Sequence, residues 1–146
     1  MSTHRRVSDR PKLGRDALNL KAIAPNEISY LAGYVDGEGC LVVACGSITI
    51  KVDSCYPKVC HRLFKLFGGR FRHIKRKATF TGRNRHYFSW TAHGEKAYMA
   101  VSTLFPFLRE KKDQAKLFLK AHHTKGVAEK DKINLKLKQL KRMVYL

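Results

Sequence analysis

YLAGYVDGEGCLVV, residues 30–43, changes character in its middle: small and apolar residues at helical spacing give way to an apolar run of strand type. Just upstream, Pro25 and Asn26 suit a helix start, and Glu27 complements the positive end of the helix dipole. Gly33 and Gly37 lie four apart, so on a helix they stack on one face, with Ala32 alongside, and strip it of side chains. Glycine costs a helix roughly 1 kcal/mol relative to alanine, and close approach of a second helix would justify that cost. An ordinary glycine-rich helix end explains Gly37 and Gly39 but not Gly33. Two acids, Asp36 and Glu38, stand among these glycines in a chain with 11 acidic and 30 basic residues.

That imbalance gives a formal net charge of +19 over 146 residues. With 44% hydrophobic and 10% aromatic residues, the chain is expected to fold as one domain with a real core. So large a positive surplus favours polyanions, nucleic acid first. No apolar run reaches spanning length and no lipidation motif is present, so no membrane partner is expected. The opening MSTHRRVSDRPKLGRD has no apolar signal core, so the protein is expected inside the cell, in cytoplasm, nucleoid or an organelle, and not secreted. Cys40, Cys45, Cys55 and Cys60 are spaced too openly for a zinc knuckle and read as reduced thiols.

The charge is concentrated. Residues 39–91 hold eleven Lys+Arg and one acid, Asp53, a local net charge of +10. Within them SITIKV alternates, putting Ile48, Ile50 and Val52 on one strand face and Thr49, Lys51 and Asp53 on the other. GGRFRHIKRKATFTGRNRHYFSWTA reads as two strands around a turn near Gly82 and Asn84. Phe88 and Trp90 would face the core, with Arg83, Arg85, Tyr87 and Ser89 opposite; Arg70 and Arg72 share a face of the preceding strand. A sheet with one apolar face and one carrying arginine, lysine and hydroxyls suits a nucleic-acid groove.

Helices frame the strands. YPKVCHRLFKLFGG has proline at its start, glycine at its end and Val59, Leu63 and Leu66 or Phe67 at core spacing. GEKAYMAVSTLF stops at Pro106, and a further helix through FLREKKDQAKLFLKAHH would turn Leu108, Ala115, Phe118, Leu119 and His122 inward. Residues 1–25 read as a flexible basic arm, 26–124 as the core, and 125–146 as an amphipathic basic helix packed on it through Ile133, Leu137, Leu140 and Val144. The order is that of an α+β domain with a four-stranded antiparallel sheet.

Glu38 would end the first helix beside glycines that let a phosphate approach. A lone carboxylate repels a polyanion unless a divalent cation mediates, and Mg2+ (or Mn2+) takes one or two carboxylates plus water and phosphate oxygens. One acid is too few for hydrolysis, but two copies meeting through the glycine face would bring two Glu38 side chains together.

LAGYVDGEG, residues 31–39, resembles the signature of the LAGLIDADG homing endonucleases, and the resemblance extends over residues 26–124, including LFPFLREKKDQAKLFL. It implies an αββαββα core whose sheet forms a DNA-binding saddle, with C-terminal helices added. It also implies a site-specific, metal-dependent endonuclease making a staggered break in double-stranded DNA. Glu38 would bind the metal with the Gly37 carbonyl, Asp36 would be structural, and Lys111, or its neighbour Lys112, would polarise solvent at the scissile phosphate, with Lys58 assisting. Ala32, Gly33, Val35, Asp36 and Gly37 would form the interface of a homodimer on a roughly palindromic site, since the chain has a single motif. Thr49, Lys51, Arg70, Arg72, Lys75, Arg76, Arg83, Arg85, Tyr87, Ser89 and Lys112 would contact DNA. No intein-type splicing ends are evident, so an intron-encoded or free-standing protein is expected. Glu stands where the motif often ends in Asp, and the first hairpin is short and apolar, which limits its part in base reading. Within the same fold, an intron-RNA maturase or a non-cleaving DNA-binding regulator is the alternative. A basic ribosome-associated protein would explain the charge but not Gly33, Gly37 and Glu38 together.

Overall fold

A computed structural model describes residues 23–77, 80 and 82–143. The expected basic arm, apart from its last three residues, and Val144 lie outside them. Helix α1 (Pro25–Glu38) carries Pro25 in its first turn, where a missing N–H costs nothing, and the Asn26 side chain accepts from the Glu27 N–H at 2.9 Å. It runs directly into strand β1 (Gly39–Ala44). Gly39 makes that passage possible, because a Cβ there would stand 2.6 Å from the Val35 carbonyl oxygen. Cys45 and Gly46, with φ of 51° and 73°, turn the chain into β2 (Ser47–Ser54). Two consecutive left-handed residues match the twist of a two-residue hairpin.

Helix α2 (Pro57–Phe67) ends on Gly68 at φ 74°, and β3 (Arg70–Lys77) and β4 (Asn84–His93) form the second hairpin. Then follow α3 (Gly94–Leu104), a 3-10 turn at Phe105–Phe107, α4 (Lys112–His123) and α5 (Val127–Met143). The sheet is antiparallel in the order β1-β2-β4-β3, giving the expected α+β architecture. Among the described residues no helix is long and apolar enough to cross a membrane.

The described helices pack on one face of the sheet. Leu41, Ile50, Val52, Trp90 and Ala92 point into that layer and are buried, as the alternation in β2 and β4 required. Each fully buried large apolar side chain stabilises the fold by about 1.5–3 kcal/mol. Trp90 also donates its indole N–H to the Gly68 carbonyl at 2.8 Å, locking the end of α2 to β4. Cys60 is buried beneath the same strands, and desolvation pushes its thiol up to about 11, so it stays protonated in the core. At the other end of α1, Arg62 of α2 forks onto Glu27; that hydrogen bond holds the Glu27 carboxyl below its usual range and lifts the guanidinium.

α4 buries Ala115 and Phe118 as expected, together with Gln114 and Ala121. Leu119 is only partly buried, and His122 lies at the layer's edge, stacked on Tyr98 and bonded to Glu95 at 2.9 Å. α5 packs on α4 and β1 through Ile133 and Leu137, while Leu140 is partly exposed.

Candidate functional site

Two features converge at the sheet: a cleft at the end of α1 and an uncovered basic face. The last turn of an α-helix leaves carbonyls without partners and carries partial negative charge. Here Lys111 supplies the partner, its ammonium bonding the backbone carbonyl of Asp36. The Asp36 carboxylate reaches the other way. It accepts the backbone N–H of Arg109 at 2.8 Å and that of Lys111 at 3.0 Å. α1 and the segment leading into α4 are thus tied by three bonds, all made by Asp36, two to Lys111 and one to Arg109.

Beside this knot lies a cleft of about 440 Å3 whose walls include Asp36, Gly37, Glu110, Lys111, Gln114 and Lys141. Lys141 comes from α5 and donates to the Leu41 carbonyl at 2.5 Å, on the edge strand β1. Glu38, the last residue of α1, is exposed and is not itself among the cleft residues, although its neighbours Gly37 and Gly39 are. Lys112 turns away, its ammonium 5.3 Å from the centre of the Phe105 ring. Lys58 is exposed in the first turn of α2 and is not among the cleft residues.

The oxygen donors here suit a hard cation such as Mg2+ and not a soft one. Both Asp36 oxygens are engaged by N–H groups; of the other carboxylates nearby, Glu110 lines the cleft and Glu38 is exposed next to two residues that do. Among the described residues no three His, Cys, Asp or Glu side chains gather as a metal site.

Sequence reasoning missed Gln114 and Lys141. Gln114 falls three residues after Lys111, so helical spacing could have placed it beside that lysine. Lys141 had no such signal, because it meets Leu41 across a separation of 100 residues.

On the sheet, directly opposed residues share a face. Lys51, Thr91 and Arg70 form one row across three strands, Asp53, Ser89 and Arg72 the next, then Tyr87 with Ile74, and Arg85 with Arg76. Among the described residues no helix covers this side. Lys51 pairs with Asp53 at 3.2 Å on an exposed surface, worth at most about 1 kcal/mol. Thr49 and His93 bond at 2.8 Å at the sheet's other end. Arg76 directly opposite Arg85 repels at this spacing, a cost that an anion laid on the face would remove. Arg83 lies in the connection before β4.

Four expected roles need correction. Ser89 lies on the open side but is only 1% exposed, because it sits on an inner strand between the larger Asp53 and Arg72; it cannot touch DNA in this conformation. Lys75 is opposite His86, on the other side of the hairpin from Arg70, Arg72 and Arg76. Ala32 and Val35, expected at a dimer interface, are buried in the chain's own core with Leu31. At 100° per residue they lie away from Tyr30, Gly33 and Gly37, which are exposed. Among the described residues, an added Cβ at Gly33 or Gly37 meets nothing within 4 Å, so the helix face there is bare of side chains.

No family model and no curated protein matches the sequence. Solved structures do match. Homing endonuclease I-CvuI bound to the I-CreI target C1221 with 2 mM Mg, its DNA not cleaved, superposes with a TM-score of 0.57 at 20% identity, over 79% of this chain and 82% of that one. The same endonuclease with its target Sro1.3 and 2 mM Ca gives 0.55 at 19% identity, over 82% and 80%. At this identity the likeness establishes the fold, that of the LAGLIDADG homing endonucleases.

Proposed function

We propose that this chain, with the fold of homing endonucleases, is itself a site-specific DNA endonuclease that works as a homodimer and makes a staggered double-strand break in a long, roughly palindromic site. The observation that carries the reading is the knot at the end of α1: Lys111 bonded to Asp36 beside an exposed Glu38, under a helix face bare at Gly33 and Gly37. Two chains meeting on that face would bring two Glu38 carboxylates and two clefts to the centre of one duplex.

Glu38 and the Gly37 carbonyl would hold Mg2+ or Mn2+. When bound, the ion supplies an activated water and charge stabilisation at the phosphate. Lys111 stands in the cleft wall, where its side chain would offset charge developing on the phosphate oxygens. Asp36 holds that lysine's backbone in register through both its oxygens. Arg70, Arg72, Arg76, Arg85, Lys51 and Tyr87 would lie along the major groove of each half-site, arginine forks on guanine edges or phosphates.

The test is a cleavage selection with a randomised palindromic duplex library in Mg2+, run beside Glu38→Gln and an EDTA control. Staggered cuts at one motif, absent from both controls, are expected. Specific binding without cutting would instead make the protein a regulator, and a preference for structured RNA would make it a maturase.

A further inference from the structure

We infer that Gln114 is a water-positioning residue of this cleft, an inference that rests on the endonuclease reading. Gln114 is the third residue of α4, 7% exposed, and its Oε1 is buried without a hydrogen-bond partner among the described residues. A glutamine at this point of a helix ordinarily reaches back to the N–H of the capping residue. That role is taken: the Lys111 N–H is bonded to Asp36 at 3.0 Å. The amide is therefore displaced from capping and stands in the cleft wall with Lys111 and Lys141.

A buried carbonyl without a partner costs stability, so a protein retains one where something else bonds it. The cleft, at about 440 Å3, has room for several waters. Its cations are committed to carbonyls, Lys111 to Asp36 and Lys141 to Leu41, yet each ammonium has further protons to donate. A water held between an ammonium and the Gln114 carbonyl would have its lone pair oriented, as a glutamine does for the attacking water in some phosphoryl-transfer enzymes. In the hydrolysis, that water's oxygen bonds phosphorus while the bond to the 3′ oxygen breaks and the electron pair leaves with it. The water's proton passes to solvent, and solvent returns one to the 3′ oxygen. Gln114 gains and loses nothing; it aims the water.

The experiment compares wild type, Gln114→Met and Gln114→Glu on the duplex that wild type selects. Single-turnover cutting, duplex affinity in EDTA and the thermal midpoint are read for each. Methionine keeps the length and removes the orphaned polar atoms, so the midpoint should hold or rise while cutting falls roughly 10- to 100-fold at unchanged affinity. Glutamate keeps an acceptor, so it should recover part of the rate and add a carboxyl titration to the pH profile. Wild-type cutting by Gln114→Met overturns the inference. So does a lowered midpoint in that variant, which would make the amide structural, or a Gln114→Glu rate no better than that of Gln114→Met. If wild type itself cuts nothing, the endonuclease reading falls and takes this one with it; if wild type and Gln114→Met cut equally, only this one falls.

Discussion

Asp36 shows how one side chain can set a site without acting in it. Its carboxylate spans a separation of 73 residues to Arg109 and 75 to Lys111, satisfying two N–H groups just ahead of α4. Asp36→Ala leaves both N–H groups without that acceptor and frees the lysine's backbone. We expect a loss of about 1–2 kcal/mol in urea unfolding, with Asp36→Asn, which keeps one acceptor oxygen, losing less. At this scale the sequence revealed residue types well and orientations poorly. Glu38 stands out in the sequence as a carboxylate among glycines, whereas Lys111 is singled out only through the family resemblance. Gln114 does not stand out, because an isolated glutamine on an amphipathic helix is ordinary until its capping partner is seen to be taken.

The elements follow local rules that the chain states openly. Pro25 and Pro57 open helices, Gly68 closes one, and the alternation of Ile48, Ile50 and Val52 makes a strand with one buried side. The first hairpin carries a local conflict: Cys45, a residue with a Cβ, holds φ 51° in a two-residue turn. Cys45→Gly should relieve that strain and outweigh the extra freedom of the unfolded chain, raising stability by about 0.5–1 kcal/mol in thermal or urea unfolding. A lower stability would mean that the cysteine side chain contributes packing. Element order and strand faces were therefore readable, since helix and strand periodicities involve neighbours only. Ser89 was placed on the correct side of its strand and still proved inaccessible, because the residues that flank it come from two other strands.

For the whole molecule, the proposed dimer makes a sharp demand on α1. Among the described residues nothing lies within 4 Å of a Cβ at Gly33, so Gly33→Leu should leave the folded chain's stability nearly intact. The same leucine would hold a second helix away, so sedimentation should show wild type as a dimer and the variant as a monomer. A wild-type monomer at micromolar concentration would remove the basis for a palindromic target. The sequence by itself determined the order of helices and strands, the +19 charge that calls for a polyanion, and the glycine-flanked acids at the end of α1. Those rest on periodicity, turn chemistry and charge, which act over a few residues or over the whole chain without regard to contacts. Only the tertiary structure decided that Ala32 and Val35 face inward, that Lys75 leaves the basic face, and that Gln114 and Lys141 join Lys111 in one cleft. Those depend on which distant segments pack together, and packing of surfaces 75 or 100 residues apart is not written in any local pattern.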